Sequence, residues 1–202
     1  MYFAPGPTHA PHHVPKEWIA KYKGQFDQGW DKLCEQTLER QKKLGVVPAD
    51  TKLAPKAEAI KDWDSLSADE KRLFARQIEV FAGFGEYADA EIGRLILALK
   101  DLGQLDNTLI FYIVGDNGAS AEGGMNGLFN EMTYFNAYPD QLDHIDDLGG
   151  PLGHNHYAWP ATLPSPGLSR SPRATAARAT AWWSIGRREC TRRMRFGRSG
   201  TV

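Results

Sequence analysis

Residues 107–118 have the sequence Asn-Thr-Leu-Ile-Phe-Tyr-Ile-Val-Gly-Asp-Asn-Gly. The apolar part of this segment, residues 109–114, is unbroken and far too short to span a membrane. A continuous apolar run of this length is typical of a strand that is buried on both faces of a parallel sheet. We therefore predict a buried strand over residues 108–114 that leads directly into Asp116 and Asn117.

The sequence before this strand predicts a long helix over residues 67–102. Ser67 followed by Glu70 is a capping box, and apolar residues then recur at three- and four-residue steps until Gly103. Gly83 and Gly85 lie inside the helix, where each costs about 1 kcal/mol relative to alanine. We expect a bend or close packing at these two glycines.

The amino-terminal part predicts a second strand and two shorter helices. Tyr-Phe-Ala at residues 2–4 has the pattern of a strand end, and four prolines between residues 5 and 15 forbid regular structure after it. Helices are predicted over residues 16–22 and 26–44. The order strand, helices, strand defines an α/β unit. Because two strands are fewer than an independently stable sheet needs, we expect part of a larger doubly wound domain, with further sequence upstream. The alternative is that further strands lie within residues 125–157.

The charges divide the chain near residue 157. Residues 1–157 hold 15 Lys and Arg against 24 Asp and Glu, whereas residues 158–202 hold nine Arg, no Lys and one Glu. This asymmetry predicts a domain boundary, and the composition of the second part predicts a disordered tail. Nine arginines with Trp182 and Trp183 would also suit a nucleic-acid-binding module, which is an alternative function class.

Asp116 and Asn117 are the candidate metal ligands. In open α/β sheets, ligands bind beyond the carboxyl ends of the strands, where these two residues are expected. A carboxylate and an amide oxygen are hard donors that suit Ca²⁺ or Mg²⁺. The alternative is a tight turn, because Asn-Gly is also a strong hairpin signal. Two oxygen donors do not complete a metal site, so other ligands would have to come from elsewhere.

Three histidines in the proline-rich segment, His9, His12 and His13, are the second candidate. Histidine titrates near neutral pH and can donate to a sulfate or phosphate or protonate a leaving group. The alternative is a solvated loop whose histidines do nothing. His9 follows the predicted strand end, so we expect it at the same sheet edge as Asp116. His154 and His156 are left as unassigned loop residues.

Several other classes of protein are excluded by missing motifs. The sequence has no phosphate-binding Gly-x-x-x-x-Gly-Lys-Ser/Thr loop, no Gly-x-Gly-x-x-Gly after a strand and no Gly-x-Ser-x-Gly elbow. Cys34 and Cys190 form neither a disulfide framework nor a zinc-ligand spacing. No signal peptide or membrane span is recognisable, so the expected location is cytoplasmic by default.

Residues 2–16, 88–105 and 107–118 together resemble the sulfatase family, in particular its bacterial arylsulfatases. The resemblance implies a partial alkaline-phosphatase-like α/β domain over residues 1–157, with a parallel sheet and flanking helices. It implies hydrolysis of sulfate esters with one divalent cation, usually Ca²⁺. Asp116 and Asn117 would be two metal ligands, and His9 would contact the sulfate and assist the leaving group. A small-molecule sulfate ester is then the expected partner, rather than nucleic acid or a membrane, and the oligomeric state stays open.

The sequence also departs from the sulfatase pattern. The family's nucleophile is a formylglycine made within a C/S-x-P-x-R motif, and neither Cys34 nor Cys190 fits this motif. The family's amino-terminal aspartate pair would lie upstream of Met1, and no lysine follows Lys100 to contact sulfate. We therefore expect a middle fragment of an arylsulfatase that is inactive alone. A phosphomonoesterase or phosphonate hydrolase of the same superfamily, or a catalytically dead helical scaffold, are the alternatives.

The basic tail has a separate explanation. Residues 174–186 can be encoded by GC-rich codons that, in another frame, spell His-Gly-Gly-Thr-Arg-Asn-Gly-Val-Val-Val-His-Trp, which resembles the arylsulfatase segment expected next. We therefore predict a frameshift near residue 157 and a non-native tail over residues 158–202.

Overall fold

The computed structural model describes residues 1–53, 55–56, 58–114, 123–128, 142–150 and 181–185. The helices and strands among them, in chain order, are α1 (Lys16–Ala20), α2 (Gly29–Lys43), α3 (Ala68–Asp101), β1 (Ile110–Val114) and β2 (Ala181–Ile185). Short 3₁₀ turns lie at Trp63–Ser65, Leu105–Asn107 and Ile145–Asp147.

These residues form two compact units, and the division falls inside α3. The first unit contains the described residues up to Ala88 together with 123–128 and 142–150. The second contains the chain from Asp89 to Val114 together with 181–185.

Helix α3 confirms the long helix predicted from the sequence. At its start, the Ser67 N–H donates to Glu70 Oε2 at 2.8 Å, and the Glu70 N–H donates to Ser67 Oγ at 3.2 Å. In this reciprocal pair two backbone N–H groups at the start of the helix donate to side-chain oxygens, as in a capping box. At its end, Gly103 adopts a φ of 65°, which favours glycine and stops the helix.

The two shorter helices are confirmed with narrower bounds. Helix α1 covers five residues and α2 covers 15, whereas the periodic pattern predicts residues 16–22 and 26–44. Between the helices the chain follows successive turns in which Gly24 adopts positive φ, and Gly29, the first residue of α2, also has positive φ. Left-handed backbone at these two glycines interrupts a right-handed helix, so α2 does not extend back to residue 26.

The hydrophobic core lies in the first unit and is centred on the first half of α3. Trp30 of α2 contacts Trp63 edge-on at a ring distance of 4.9 Å and Phe74 of α3 at 5.4 Å. The Trp30 Nε1–H donates to the Lys61 carbonyl at 3.2 Å, so its polar atom is paired. The buried hydrophobic side chains of this core are Val14, Ile19, Trp30, Ile60, Trp63, Leu66, Leu73, Phe74, Ala75, Ile78, Val80, Phe84, Ile145 and Leu148.

The backbone of α1 lies close to α3 at Gly83. A Cβ atom built on Gly83 would lie 3.0 Å from the Trp18 carbonyl group and from the Ile19 nitrogen. Because Gly83 has no side chain, the backbones of α1 and α3 can touch here, which explains why a glycine lies inside the helix. The expectation of close packing is confirmed at Gly83. At Gly85 the nearest atom to such a Cβ is Thr8 Cγ2 at 3.7 Å, an ordinary contact distance.

Strand β1, in the second unit, confirms the predicted strand, but its burial and its pairing differ from the prediction. It pairs with β2 in antiparallel register, with Ile110 opposite Ile185 and Val114 opposite Ala181. Phe111 and Ile113 are 57% and 60% exposed, and exposure alternates along residues 108–113. The expectation of burial on both faces is therefore wrong for this chain, because only one face of β1 is covered by other described residues. The described sheet is two-stranded and antiparallel, so it does not show the predicted parallel sheet.

The predicted strand at residues 2–4 is also wrong. Residues 1–6 adopt no regular structure, and Tyr2 is 94% exposed. A strand forms only where its backbone groups pair with a neighbouring strand, and the described residues place none beside this segment. Strand β2 lies within the tail that the composition predicts to be disordered. The rest of residues 158–202 and the boundary near residue 157 lie outside the described residues, so the boundary and the frameshift stay predictions.

Candidate functional site

The proline-rich segment holds His9 on its exposed side. The His9 N–H donates to the Gly6 carbonyl at 3.0 Å, which closes a turn directly before the histidine. His9 Nδ1 lies 2.8 Å from the Ala10 carbonyl oxygen. Because a carbonyl oxygen only accepts, Nδ1 must carry the proton of this bond. Nε2 is therefore the ring nitrogen that His9 presents to a ligand.

The next two histidines have different surroundings. His12 is 4% exposed and lies against the rings of Phe81 and Phe84 on α3, at ring distances of 6.0 and 5.9 Å. His13 is exposed, and its Nδ1 lies 3.0 Å from the Gly150 carbonyl oxygen. The sequence offers three candidate histidines and favours His9 by its place after the predicted strand end; the structure makes His12 a core residue and leaves His9 and His13 at the surface.

The turn at residues 145–150 contacts the proline-rich segment. The Val14 N–H donates to the Gly149 carbonyl at 2.9 Å, one residue before the carbonyl that His13 contacts. The turn itself is packed into the core through Ile145 and Leu148, which are buried. Sequence reasoning missed this contact, because residues more than 130 positions apart in the chain carry no local signal for each other.

The predicted metal ligands Asp116 and Asn117 lie outside the described residues. Strand β1 ends at Val114, two residues before Asp116 in the sequence. The predicted closeness of His9 and Asp116 stays a prediction. His154, His156 and Cys190 also lie outside the described residues. Within the described ranges, no group of three or more His, Cys, Asp or Glu side chains is arranged to hold a metal ion.

Cys34 lies on α2 as a half-buried thiol. Burial raises the pKa of this thiol, and the negative charge of Asp31 raises it further. A raised pKa keeps the sulfur protonated at neutral pH, and the thiolate is the reactive form. This setting gives Cys34 no nucleophilic activation, in agreement with its lack of the C-x-P-x-R motif.

Two buried polar side chains of α3, Gln77 and Glu79, were not singled out by sequence reasoning. Gln77 Nε2 donates to the Asn126 carbonyl at 3.0 Å, and Glu79 Oε1 accepts from the Gly24 N–H at 2.7 Å. Glu79 Oε2 also lies 3.2 Å from Arg76 Nη1. Both side chains therefore tie loops to α3, which is a structural role, because buried polar groups need partners.

The sequence profile of the sulfatase family matches residues 1–179, so the chain belongs to the sulfatase family. It is 43% identical to an uncharacterized sulfatase of Schizosaccharomyces pombe over 122 residues, which are 58% of this chain and 22% of that protein. It is 31% identical to the arylsulfatase of Klebsiella aerogenes over 159 residues, which are 77% of this chain and 33% of that enzyme. The chain therefore spans a third or less of the length of these relatives.

Family membership confirms the predicted resemblance and its coarser implications. Sulfatase domains have an alkaline-phosphatase-like fold, and the family in general hydrolyses sulfate esters. The alternatives of a related phosphohydrolase and of a nucleic-acid-binding module are not favoured by these comparisons. In the part of the chain that the structure describes, no helix has both the length and the apolar character needed to cross a membrane.

Proposed function

We propose that this chain carries part of the catalytic domain of an arylsulfatase, which hydrolyses small-molecule sulfate esters with one divalent cation, Ca²⁺. The observation that supports this most directly is the family match over residues 1–179, which contains His9, Asp116 and Asn117. The arylsulfatase of Klebsiella aerogenes is a relative over most of this chain. In the complete domain we expect a parallel sheet with flanking helices, and we expect the location to be cytoplasmic.

His9 is the proposed catalytic residue. Its exposed ring presents Nε2, since Nδ1 donates to the Ala10 carbonyl. When protonated, Nε2–H donates to a sulfate oxygen or gives its proton to the leaving oxygen of the ester. Proton donation at this atom matters because an alkoxide or phenolate is a poorer leaving group than the neutral alcohol or phenol.

Asp116 and Asn117 are the proposed cation ligands. One carboxylate and one amide oxygen are donors that Ca²⁺ accepts, and further ligands would complete the coordination. The cation would supply positive charge beside the oxyanions of the ester, whose negative charge grows in the transition state. Donors placed in advance at such a position stabilise the transition state without reorganising.

The proposed nucleophile, a formylglycine, has no precursor in this sequence, because no Cys or Ser stands in a C/S-x-P-x-R motif. We therefore expect the 202-residue chain to bind sulfate and calcium weakly and to hydrolyse no ester by itself. Binding, rather than turnover, is the property to measure.

A sulfate titration followed by the ring resonances of the histidines tests the role of His9. We expect sulfate to shift the His9 signals in a saturable way, and His9→Gln to remove the only large shift among the assigned histidines. His13→Gln is the matched control, because His13 is an exposed histidine of the same segment and should leave the His9 response intact. If sulfate moves no His9 signal, the proposed role is wrong.

A calcium titration tests the cation site separately. We expect CaCl₂ to shift the backbone amide signals of Asp116 and Asn117, and the double substitution Asp116→Ala, Asn117→Ala to abolish the response. Asp106→Ala is the control, since Asp106 is a surface carboxylate ten residues earlier in the chain. A response that survives the double substitution would contradict the proposed ligands.

A further inference from the structure

The ring of His12 is buried beside two phenylalanine rings. His12 is 4% exposed, and its ring lies edge-on to Phe84, at an interplanar angle of 75°, and tilted by 60° to Phe81. Edge-to-face contacts at these ring distances are favourable between aromatic rings. Both phenylalanines lie on α3, the longest of the described helices, so His12 docks the proline-rich segment on this helix.

The segment contacts other parts of the first unit on either side of His12. A Cβ built on Gly85 of α3 would lie 3.7 Å from Thr8 Cγ2, and the Val14 N–H donates to the Gly149 carbonyl at 2.9 Å. His9 lies between these two contacts, three residues before the buried ring of His12. Since Nδ1 of His9 is held by the neighbouring Ala10 carbonyl, the direction of its ring depends on the path of this short span.

We propose that His12 is a positioning residue for His9. Its buried ring sets the path of residues 9–11, which holds the Nδ1–H of His9 on the Ala10 carbonyl and directs Nε2 to the ligand. The proposal rests on the proposed function only for what His9 does with a sulfate; the geometric link between the two histidines is independent of it. In this role His12 acts through the backbone of residues 9–11.

The experiment uses the full 202-residue chain labelled with ¹⁵N in its histidine rings. Nitrogen chemical shifts distinguish a ring protonated on Nδ1 from one protonated on Nε2. In the unsubstituted chain near pH 8, we expect His9 to be protonated on Nδ1. In His12→Ala we expect this signature to be lost, leaving the tautomer mixture that His9 shows in the urea-unfolded chain.

Leu38→Ala is the matched control. Leu38 is a buried residue of α2 that lies outside the core cluster to which His12 docks, so its truncation destabilises the fold without touching the segment. We expect Leu38→Ala to keep the His9 signature. If His12→Ala keeps it as well, or if Leu38→Ala loses it to the same extent, His12 is only a stabilising core residue and the proposal is overturned.

A milder variant covers the case in which His12→Ala does not fold. Phe84→Leu removes one of the two rings that His12 contacts while keeping an apolar side chain there, and it should shift His9 part of the way to the unfolded mixture. An unchanged His9 signature in folded Phe84→Leu overturns the proposal. Adding sulfate to the unsubstituted chain separates the two hypotheses: a correctly held His9 that ignores sulfate refutes the proposed function and leaves the positioning role intact.

Discussion

Replacing Gly149 with alanine is the most informative test of how the histidine segment is held. Gly149 adopts a φ of 78°, a conformation that L-residues with a side chain rarely adopt. An added Cβ would overlap Cγ1 of Val80 and lie 3.2 Å from Cδ1 of Ile19. Both of these side chains are buried, and a valine branched at Cβ has no free rotation to escape.

The expected loss of stability has two parts. Left-handed backbone costs a non-glycine residue about 1–2 kcal/mol. Forcing an extra methyl group into a packed core costs about 1–3 kcal/mol more. Gly149→Ala should therefore lower the free energy of unfolding by about 2–5 kcal/mol, a large share of the ~5–15 kcal/mol typical of a domain.

Urea unfolding followed by tryptophan fluorescence measures this loss, and Gly45→Ala supplies the control. Gly45 adopts a φ of 69°, but a Cβ there meets no atom within 4 Å. Gly45→Ala should therefore lower the free energy of unfolding only by the cost of left-handed backbone, about 1–2 kcal/mol. Equal losses in the two variants would refute the packing argument. Amide exchange at Val14, whose N–H donates to Gly149, should accelerate only in Gly149→Ala.

Three further outcomes are expected. Gly29→Ala would drive a Cβ into the ring of Trp63 at a φ of 76°, so thermal melting should show a loss of about 2–5 kcal/mol, clearly more than for Gly45→Ala; a similar loss in both would contradict the clash. Ser67→Ala removes the oxygen that caps α3 and should lower the unfolding free energy by about 1 kcal/mol, whereas Ser67→Thr should keep it; equal melting of the two variants would speak against the cap. The Ser67 N–H lowers the pKa of the Glu70 carboxyl in the folded chain. Just below the usual pKa of this carboxyl, the unfolded chain therefore binds more protons than the folded chain does. The stabilisation by the charged carboxylate is present above the usual pKa and is lost as pH falls through the folded pKa. Glu70→Gln should therefore reduce the slope of stability against pH below about 4.5, the usual value for this carboxyl, and an unchanged slope in urea titrations at acid pH would refute the link.

The helices were predictable because their signals are local. Ser67 and Glu70 mark the start of α3, Gly103 marks its end, and both ends lie within one residue of the prediction. Strands depend on partners that are distant in the chain, so the same reasoning placed a strand at residues 2–4 where none forms. It also expected Phe111 to be buried, because hydrophobicity reports what a side chain favours and not which neighbours are present to cover it.

The candidate site was predictable by residue type but not by environment. The proline-rich segment offered His9, His12 and His13 with the same chemistry, and only the packing on α3 distinguishes the buried ring from the exposed ones. The contact of this segment with Gly149 and Gly150 joins distant parts of the chain and leaves no sequence pattern. The assignment of Asp116 and Asn117 still rests on the sequence.

The close approach at Gly83 has a consequence for the order in which the chain acquires its structure. An isolated helix shorter than about 12 residues is marginal in water, so the five residues of α1 cannot hold a helix by themselves. Helix α3 is long enough to form early, and α1 is stabilised only once it packs on the α3 backbone at Gly83. In a refolding experiment, the beginning of the chain should therefore become protected after the middle, although a ribosome makes it first.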